Sequence, residues 1–332
     1  MMLAVRPTVV GYLGLVLTST GCDPTLDAGR NEPTGPLHID QHNPLIIDND
    51  NANDNWAAEF TVLLAANGGP PLVGLVVDAD SYWPDLNRNV MGWNNFVTAA
   101  RTSGLKNVPE VTPGASAALT VPADQKIDST LPLGSKGGQL IVDLSRQLSL
   151  PGQPLVVVTG AGLTDLADAY LMDPTVVDRV IVVASLGLYD PPRGTMTGPN
   201  GDLDPWADWI VAQKFHYIQI QVLYDQSGDV TADDIANLPK NPFGDWMAAK
   251  QPNIRNLNTA ADQVAILVAS LPTFVTTVET CAPDLSAGFN SPPGQGPPLV
   301  PSATGNASLV TQGATSTIRT LLWQMLKNTF GH

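Results

Sequence analysis

Short, continuously apolar runs alternate with longer segments of helical spacing from about residue 43 onward. Runs of this kind are typical of strands that are buried on both faces of a parallel sheet. We predict strands at residues 44–48, 72–77, 154–159, 180–184 and 217–223. We predict helices at residues 56–66, 87–103, 137–148, 163–172, 206–214, 262–271 and 318–327. The pattern therefore indicates an α/β fold with a mostly parallel central sheet flanked by helices.

The segments outside this pattern have their own signatures. Arg6, a short apolar run and the small residues before Cys22 are typical of a signal peptide over residues 1–21. Gly21-Cys22 resembles the end of a bacterial lipoprotein signal, so we expect lipidation of Cys22, with plain secretion as the alternative. Residues 22–42 read as a flexible linker, residues 43–332 as one domain, and residues 282–307 within it as a long surface loop.

Charge and cysteine content exclude several classes of function. The formal net charge is −15 and the pI is near 4.4, which argues against nucleic acid and against electrostatic docking on anionic lipid. We therefore expect membrane attachment only through a lipid on Cys22. The other cysteine, Cys281, is expected to be a small buried residue, and no cysteine or histidine cluster has zinc spacing.

An acidic segment follows the first predicted strand. Asp48, Asp50 and Asp54 lie within seven residues and alternate with asparagines up to Asn55. Open α/β sheets place ligands at the carboxyl ends of their strands, and clustered oxygen ligands favour Ca²⁺ or Mg²⁺. A turn with a helix N-cap is the alternative interpretation. An EF-hand is excluded, because Asn53 stands where that loop needs glycine and a strand enters where a helix is required.

Four segments together resemble one family. They are residues 45–55; residues 87–104, with Arg88-Asn89; residues 155–184, with Thr-Gly-Ala-Gly-Leu-Thr-Asp and Asp-Arg-Val; and residues 262–276, which open with Asp-Gln-Val-Ala. Their order and spacing are similar to those of the inosine-uridine preferring nucleoside hydrolases. The resemblance implies the nucleoside hydrolase fold, Ca²⁺ as cofactor, a nucleoside-like small-molecule substrate and a homo-oligomer.

The resemblance also implies the metal site. Asp50, Asp54 and Asp262 match family ligands, and Asn55 stands where another aspartate is usual. A main-chain carbonyl near Gly160 would complete the protein ligands, although one residue is inserted there. In the family a calcium-bound water attacks the anomeric carbon, and Asp50 matches the general base that activates it. Asp262 also has a simpler interpretation, as a residue that caps or opens its helix.

The sugar-binding half departs from the family. Asp80 replaces a ribose-binding asparagine, Trp206 a ribose-binding glutamate and Asp208 an asparagine, while Asn200 keeps a substrate asparagine. Ala261 precedes Asp262 where a leaving-group histidine is common. Three of these positions also have a structural interpretation. Asp80 and Asn200 would serve turns, and Trp206 would cover the core from a helix that Asp204 caps.

Three functions remain open. The first is a Ca²⁺-dependent N-glycosyl hydrolase that acts on a nucleoside or related ribosyl compound outside the cytoplasm. The second is a catalytically impaired protein that binds a ligand or calcium on the same fold. The third is a calcium-stiffened surface module that binds another protein. The matching aspartates favour the hydrolase.

Overall fold

In a computed structural model, the chain is described at residues 37, 39–50, 56–186, 188–190, 195–197, 200–220, 230–250, 261–290, 294 and 296–331. These residues lie in one compact unit, Glu32–His332. The signal peptide, Cys22, Asp54 and Asn55 fall outside the described residues. Among the described helices, none combines the length and apolarity that a membrane crossing requires.

Strands account for most of the continuously apolar segments. They are β1 (Leu45–Asn49), β2 (Leu72–Val77), β3 (Val111–Pro113), β4 (Leu155–Thr159), β5 (Val180–Ala184), β6 (Leu188–Asp190), β7 (Thr195–Thr197), β8 (His216–Ile220), β9 (Val275–Pro283), β10 (Leu299–Pro301) and β11 (Ala307–Gly313).

Nine of the strands form one sheet in the order β10-β9-β11-β8-β5-β4-β1-β2-β3. The neighbours from β11 to β3 pair in parallel, whereas β9 is antiparallel to β11 and to β10. Strands β6 and β7 form a separate antiparallel pair. The predicted fold class, an α/β fold with a mostly parallel sheet, is confirmed.

The described helices are α1 (Ala57–Ala66), α2 (Leu86–Thr102), α3 (Lys136–Leu148), α4 (Thr164–Met172), α5 (Pro205–Lys214), α6 (Ala232–Ala236), α7 (Pro242–Lys250), α8 (Ala261–Ser270) and α9 (Thr317–Phe330). Seven of these helices are those that the periodicity predicts, and two further ones, α6 and α7, were not predicted. Short 3₁₀ turns lie at Ile127–Ser129, Pro174–Asp178 and Pro272–Phe274.

The core lies on the two faces of the sheet. Ile47 packs with residues of α1, α2, α8 and α9, whereas Ile46 packs with residues of α3, α4 and α5. Successive side chains of a strand point to opposite faces, so β1 contributes to both cores. Leu37 and Ile39 are buried in the first of these cores, which means that packing begins before residue 43.

The prediction of a surface loop at residues 282–307 is wrong in part. Strand β9 extends to Pro283, β10 lies inside the segment, and β11 begins at its end. Cys281, on β9, is a buried free cysteine, as predicted.

Candidate functional site

The strand order changes direction between β1 and β4, which are neighbours in the sheet. From β1 the sheet continues to β2 and β3 on one side, and from β4 to β5 and β8 on the other. Crevices for ligands form outside the carboxyl ends of the strands at such a switch point. Main-chain bonds fix this edge: Gly160 N donates to Asp48 O at 2.9 Å, and Asp78 N donates to Asn49 O at 3.0 Å.

One polar group at this edge lies toward α8. Asn49 ends β1, and its amide Nδ2 donates to Asp262 Oδ2 at 3.1 Å across 213 residues of sequence. Gly160, just after β4, lies against both side chains, since a Cβ there would be 2.5 Å from Asn49 Nδ2 and 2.5 Å from Asp262 Oδ1. Asp50 follows Asn49 and is 4% exposed. We call Asn49, Asp50, Gly160 and Asp262 the Asp262 group.

Asn200 supports this group from the other side. Its amide Nδ2 donates to Gly160 O at 2.8 Å and to Ser185 O at 2.7 Å. The side chain therefore ties the segment after β4 to the segment after β5. A carbonyl oxygen has two lone pairs, so Gly160 O keeps one acceptor position when Asn200 is bound.

The surroundings of the Asp262 carboxyl group favour its neutral form. Burial raises the pKa of Asp262 to about 6, and hydrogen bonds from Asn49 and Ser185 offset only part of that rise. A cation beside the carboxylate would reverse the effect, because a nearby positive charge favours the ionised form. The described members of the predicted metal set, Asp50, Gly160 and Asp262, thus offer oxygen atoms suited to a hard divalent ion.

A second acidic group lies on the opposite face of β1, toward α3 and α4. One carboxylate oxygen from each of Asp48, Asp78 and Asp165 lies within 4.8 Å of the other two, and all three side chains are buried. We call these residues the aspartate triad. Among the described residues, they form the group of three His, Cys, Asp or Glu side chains that could hold a metal ion.

The hydrogen bonds of the triad are unevenly distributed. Ala115 N donates to Asp165 Oδ2 at 2.9 Å and to Asp78 Oδ1 at 3.1 Å. Asp165 Oδ1 accepts from Gly138 N at 3.0 Å and from the Ser135 hydroxyl. Both Asp48 carboxylate oxygens are buried and accept no hydrogen bond from the described residues. Burial and the Asp165 charge raise the pKa of Asp48 well above its usual range.

A cleft of about 230 Å³ opens beside the triad. This volume lies below the range for drug-sized ligands and suits a sugar-sized group. Polar atoms on its walls come from the loops after β2 and β3 and from the start of α4. The lining includes Asp78, Asp80, Ser81, Ser116, Gly162 and Thr164.

Asp80 organises the loop at the mouth of this cleft. Its Oδ1 accepts from Tyr82 N at 2.6 Å and from Trp83 N at 2.8 Å, which is the turn expected from the structural interpretation. Tyr82 and Trp83 are exposed by 61% and 39%. Asp80 therefore lies where a cleft ligand would reach it and also holds the loop backbone.

Trp206 and Asp208 lie inside α5. The Trp206 side chain is 1% exposed, its Nε1 donates to Thr130 Oγ1 at 3.0 Å, and its ring packs edge-on against Phe289 at 4.7 Å. Asp208 is equally buried, and burial followed by the charges of Asp204 and Asp202 raises its pKa. Neither residue lines the described cleft.

The triad is the part of the site that sequence reasoning missed. Asp48 was recognised only as part of the acidic segment, and neither Asp78 nor Asp165 was assigned a role. A signal was present, because Asp78 follows β2 directly and Asp165 opens the helix after β4. Parallel strands bring such positions to one edge, but only if the strand order is known.

Comparison of this architecture with solved structures gives matches over most of the chain. The inosine-uridine preferring nucleoside hydrolase of Bacillus anthracis matches with a TM-score of 0.58 and 14% identity, covering 86% of this chain and 99% of that one. The chain has the nucleoside hydrolase fold. The purine-preferring ribonucleoside hydrolase of Gardnerella vaginalis matches with a TM-score of 0.60 and 18% identity, covering 86% of this chain and 98% of that one.

The fold match extends to an effector protein. The type III effector XopQ, solved in complex with adenosine diphosphate ribose, has a TM-score of 0.57 and 16% identity, covering 90% of this chain and 96% of that one. No protein-family model matches the sequence, and no curated protein is similar to it. The nucleoside hydrolase fold is thus carried by a strongly divergent sequence.

Proposed function

We propose that the protein is a Ca²⁺-dependent N-glycosyl hydrolase that acts on a nucleoside or a related ribosyl compound. The observation that carries the proposal is the meeting of Asn49 and Asp262 at the switch point, beside Gly160, on a nucleoside hydrolase fold. The resemblance implies one metal site that joins Asp50, the residue after Asn49, to Gly160 and the distant Asp262.

The metal would be held by Asp50, Asp262 and the Gly160 carbonyl, together with Asp54 and Asn55 from the segment outside the described residues. Bound there, Ca²⁺ would lower the pKa of a water molecule and orient sugar hydroxyl groups. The donor set is all oxygen, which is the set that Ca²⁺ prefers. Gly160 is required because a Cβ at 2.5 Å from Asp262 Oδ1 would push the ligand carboxylate away.

The protein's own groups supply the remaining chemistry. Asp50 would accept the proton of the attacking water at its carboxylate, which is the role of a general base. Asn200 would hold the Gly160 carbonyl in place through its 2.8 Å hydrogen bond. The cleft lined by Asp80, Ser81 and Ser116 would take the sugar, with its hydroxyl groups facing carboxylate and hydroxyl side chains.

The substrate class follows from the fold matches and the cleft. The matched enzymes are named for nucleosides, and XopQ was solved with adenosine diphosphate ribose. Both kinds of molecule contain a ribose joined to a base by an N-glycosidic bond. We therefore propose a ribosyl compound as substrate, with the base or a second phosphate-linked group extending past the exposed Tyr82 and Trp83.

A binding protein without turnover is the second candidate. It is favoured by the burial of Trp206 and Asp208, which leaves the described cleft without a counterpart of the glutamate that the resemblance implies. Ala261 also removes the usual leaving-group acid. This candidate predicts saturable binding of a ribosyl compound with no release of free sugar.

The decisive experiment measures reducing sugar released from a panel of purine and pyrimidine nucleosides and adenosine diphosphate ribose, with Ca²⁺ present. Asp50→Asn is the test variant, and Asp128→Asn, which makes the same change on an exposed surface, is the matched control. Release by the wild type and by the Asp128→Asn variant, but not by the Asp50→Asn variant, supports the hydrolase. Calorimetric binding without release in any of the three supports the binding protein.

We also propose export with a lipid on Cys22, on the signal described above. Metabolic labelling with radioactive palmitate in a bacterial host should label the wild type and not Cys22→Ser. Equal labelling of both, or labelling of neither, would contradict lipidation. The homo-oligomer implied by the resemblance is tested by light scattering of the purified chain, where a monomer mass would contradict it.

A further inference from the structure

The hydrogen bonds of the aspartate triad do not compensate for the burial of three carboxyl groups close together. Asp48, Asp78 and Asp165 place three carboxyl groups in one fully buried space. Buried charges are stable only when they are paired, bound to metal or neutralised by protons. The donors Ala115 N, Gly138 N and the Ser135 hydroxyl serve Asp165 and Asp78.

The Asp48 side chain gives a second observation, independent of the clustering of the three carboxyl groups. Its side chain is 0% exposed, and neither carboxylate oxygen accepts a hydrogen bond from the described residues. Ile46, two residues earlier, packs with the core toward α3 and α4, so strand alternation directs Asp48 to the same face as Asp165. An unpartnered carboxylate therefore faces two further carboxylates.

The dimensions of the triad suit a divalent cation. Oxygen ligands lie 2.3–2.6 Å from Ca²⁺, so two ligands on opposite sides of the ion are about 5 Å apart. One oxygen from each triad residue satisfies this limit, since these three oxygens lie within 4.8 Å of one another. Each of the three side chains can therefore supply one oxygen at this spacing.

Two glycines close the walls around these oxygens. A Cβ on Gly114 would lie 2.0 Å from Asp78 Oδ1 and 2.2 Å from Asp165 Oδ2. A Cβ on Gly137 would lie 2.7 Å from Asp165 Oδ1. The backbone therefore approaches the carboxylates more closely than any other residue type would permit, and the side chains have little space in which to separate.

We infer that Asp48, Asp78 and Asp165 bind a divalent cation at a second position, separate from the Asp262 group and on the opposite face of β1. This ion would join the ends of β1 and β2 to the start of α4, and its role would be structural. It goes beyond the proposed hydrolase, because it requires neither a substrate nor turnover.

A proton shared between carboxyl groups is the competing account. Asp78 and Asp165 are close enough for one carboxyl group to donate to the other, and burial with the neighbouring charges raises the pKa of Asp78. The two accounts differ in metal content. A shared proton leaves the triad unaffected by Ca²⁺, whereas a bound ion makes its surroundings depend on Ca²⁺.

The first test counts Ca²⁺ per purified full chain by equilibrium dialysis and elemental analysis, after removal of metal with a chelator. The expected counts are two for the wild type, one for Asp165→Asn, one for Asp262→Asn and two for the surface control Asp128→Asn. A wild-type count of one that Asp165→Asn leaves unchanged would overturn the inference while leaving the Asp262 site intact. A count of zero would overturn both.

A second test uses only the wild type, in case the Asp165→Asn variant fails to fold. Hydrogen exchange is compared with and without Ca²⁺ for peptides that contain the amides of Ala115 and Gly138. At least a tenfold slowing of exchange at these amides on addition of Ca²⁺ is expected, because both donate to Asp165. Exchange that Ca²⁺ leaves unchanged there, with slowing confined to peptides around Asp262, would show a shared proton and overturn the inference.

Discussion

Gly160→Ala tests whether the close approach of the β4 end to Asp262 is required. The added methyl group would lie 2.5 Å from Asn49 Nδ2 and 2.5 Å from Asp262 Oδ1. The Gly160 backbone is outside the left-handed region, so an alanine there is opposed by these contacts alone. Gly92, inside α2, is the matched control, because nothing lies within 4 Å of the Cβ that it would gain.

The expected loss of stability follows from the side-chain atoms that the added methyl group would displace. Both obstructing atoms are the ends of short side chains, and their displacement breaks the 3.1 Å hydrogen bond between Asn49 and Asp262. A hydrogen bond is worth about 1 kcal/mol and overpacking costs about 1–3 kcal/mol, so we expect a loss of about 2 kcal/mol in the free energy of unfolding. Displacement of a ligand carboxylate should also weaken Ca²⁺ binding by about tenfold or more.

Urea unfolding and calorimetric Ca²⁺ titration measure the two effects. Gly92→Ala should leave Ca²⁺ binding unchanged and raise the free energy of unfolding by up to about 1 kcal/mol, since alanine is the better helix former. If Gly160→Ala matched the wild type in both assays, Gly160 would not pack against a metal ligand and the described geometry of the Asp262 group would be refuted.

Three further predictions concern the frame of the site. Asp204→Ala should lower the free energy of unfolding by about 3 kcal/mol, because Asp204 caps α5 and accepts a 2.9 Å hydrogen bond from Thr164; a loss below about 1 kcal/mol in urea unfolding would contradict this. Asn200→Ala should weaken Ca²⁺ binding severalfold by freeing the Gly160 carbonyl, and unchanged calorimetric affinity would contradict that role. Burial raises the pKa of Glu59 to about 7 from 4.5, so the folded state retains this proton longer and Glu59 makes stability fall as pH rises from about 4.5 to about 7. Glu59→Gln should remove that loss, about 3 kcal/mol at pH 7.5, and a pH profile identical to the wild type would contradict the assignment.

Five strands of the parallel part of the sheet were predictable from the sequence because their signal is local, whereas the parallel strands β3 and β11 were not predicted. Strands such as β2 and β5 are continuously apolar runs, and their observed bounds agree with the predicted ones. Complete burial on both faces requires this composition, so periodicity alone identifies them. The seven predicted helices follow from the 3.6-residue spacing, and they begin and end within three residues of the predicted positions.

The antiparallel edge was not predictable in this way. Strand β9 reads Val-Thr-Thr-Val-Glu-Thr-Cys-Ala-Pro, and most of its residues are partly or fully exposed. It is extended because it pairs with β11 and β10, and the paired residues lie well outside any local sequence window, for example Leu299 with Pro283 and Ala307 with Cys281. Propensity for strand depends strongly on such tertiary context, and Pro-rich flanks suggest a loop when that context is unknown.

The candidate site also contains some residues that the sequence identifies and others that only the strand order reveals. The acidic segment itself identifies Asp50, whereas only the resemblance, which links distant motifs, connects it to Asp262. The triad depends on the adjacency of β2, β1 and β4, so Asp78 and Asp165 acquire a role only when the strand order is known. Burial of Trp206 also depends on tertiary packing, here against Phe289.

The most direct test of the central claim is the rate of sugar release from an accepted nucleoside as a function of free Ca²⁺, for the wild type and Asp262→Asn. The account predicts no release in excess chelator, a saturable rise with Ca²⁺ for the wild type, and a curve for Asp262→Asn that is shifted to at least tenfold higher Ca²⁺. A wild-type rate that is the same in chelator and in Ca²⁺ would contradict a calcium-dependent hydrolase at the Asp262 group.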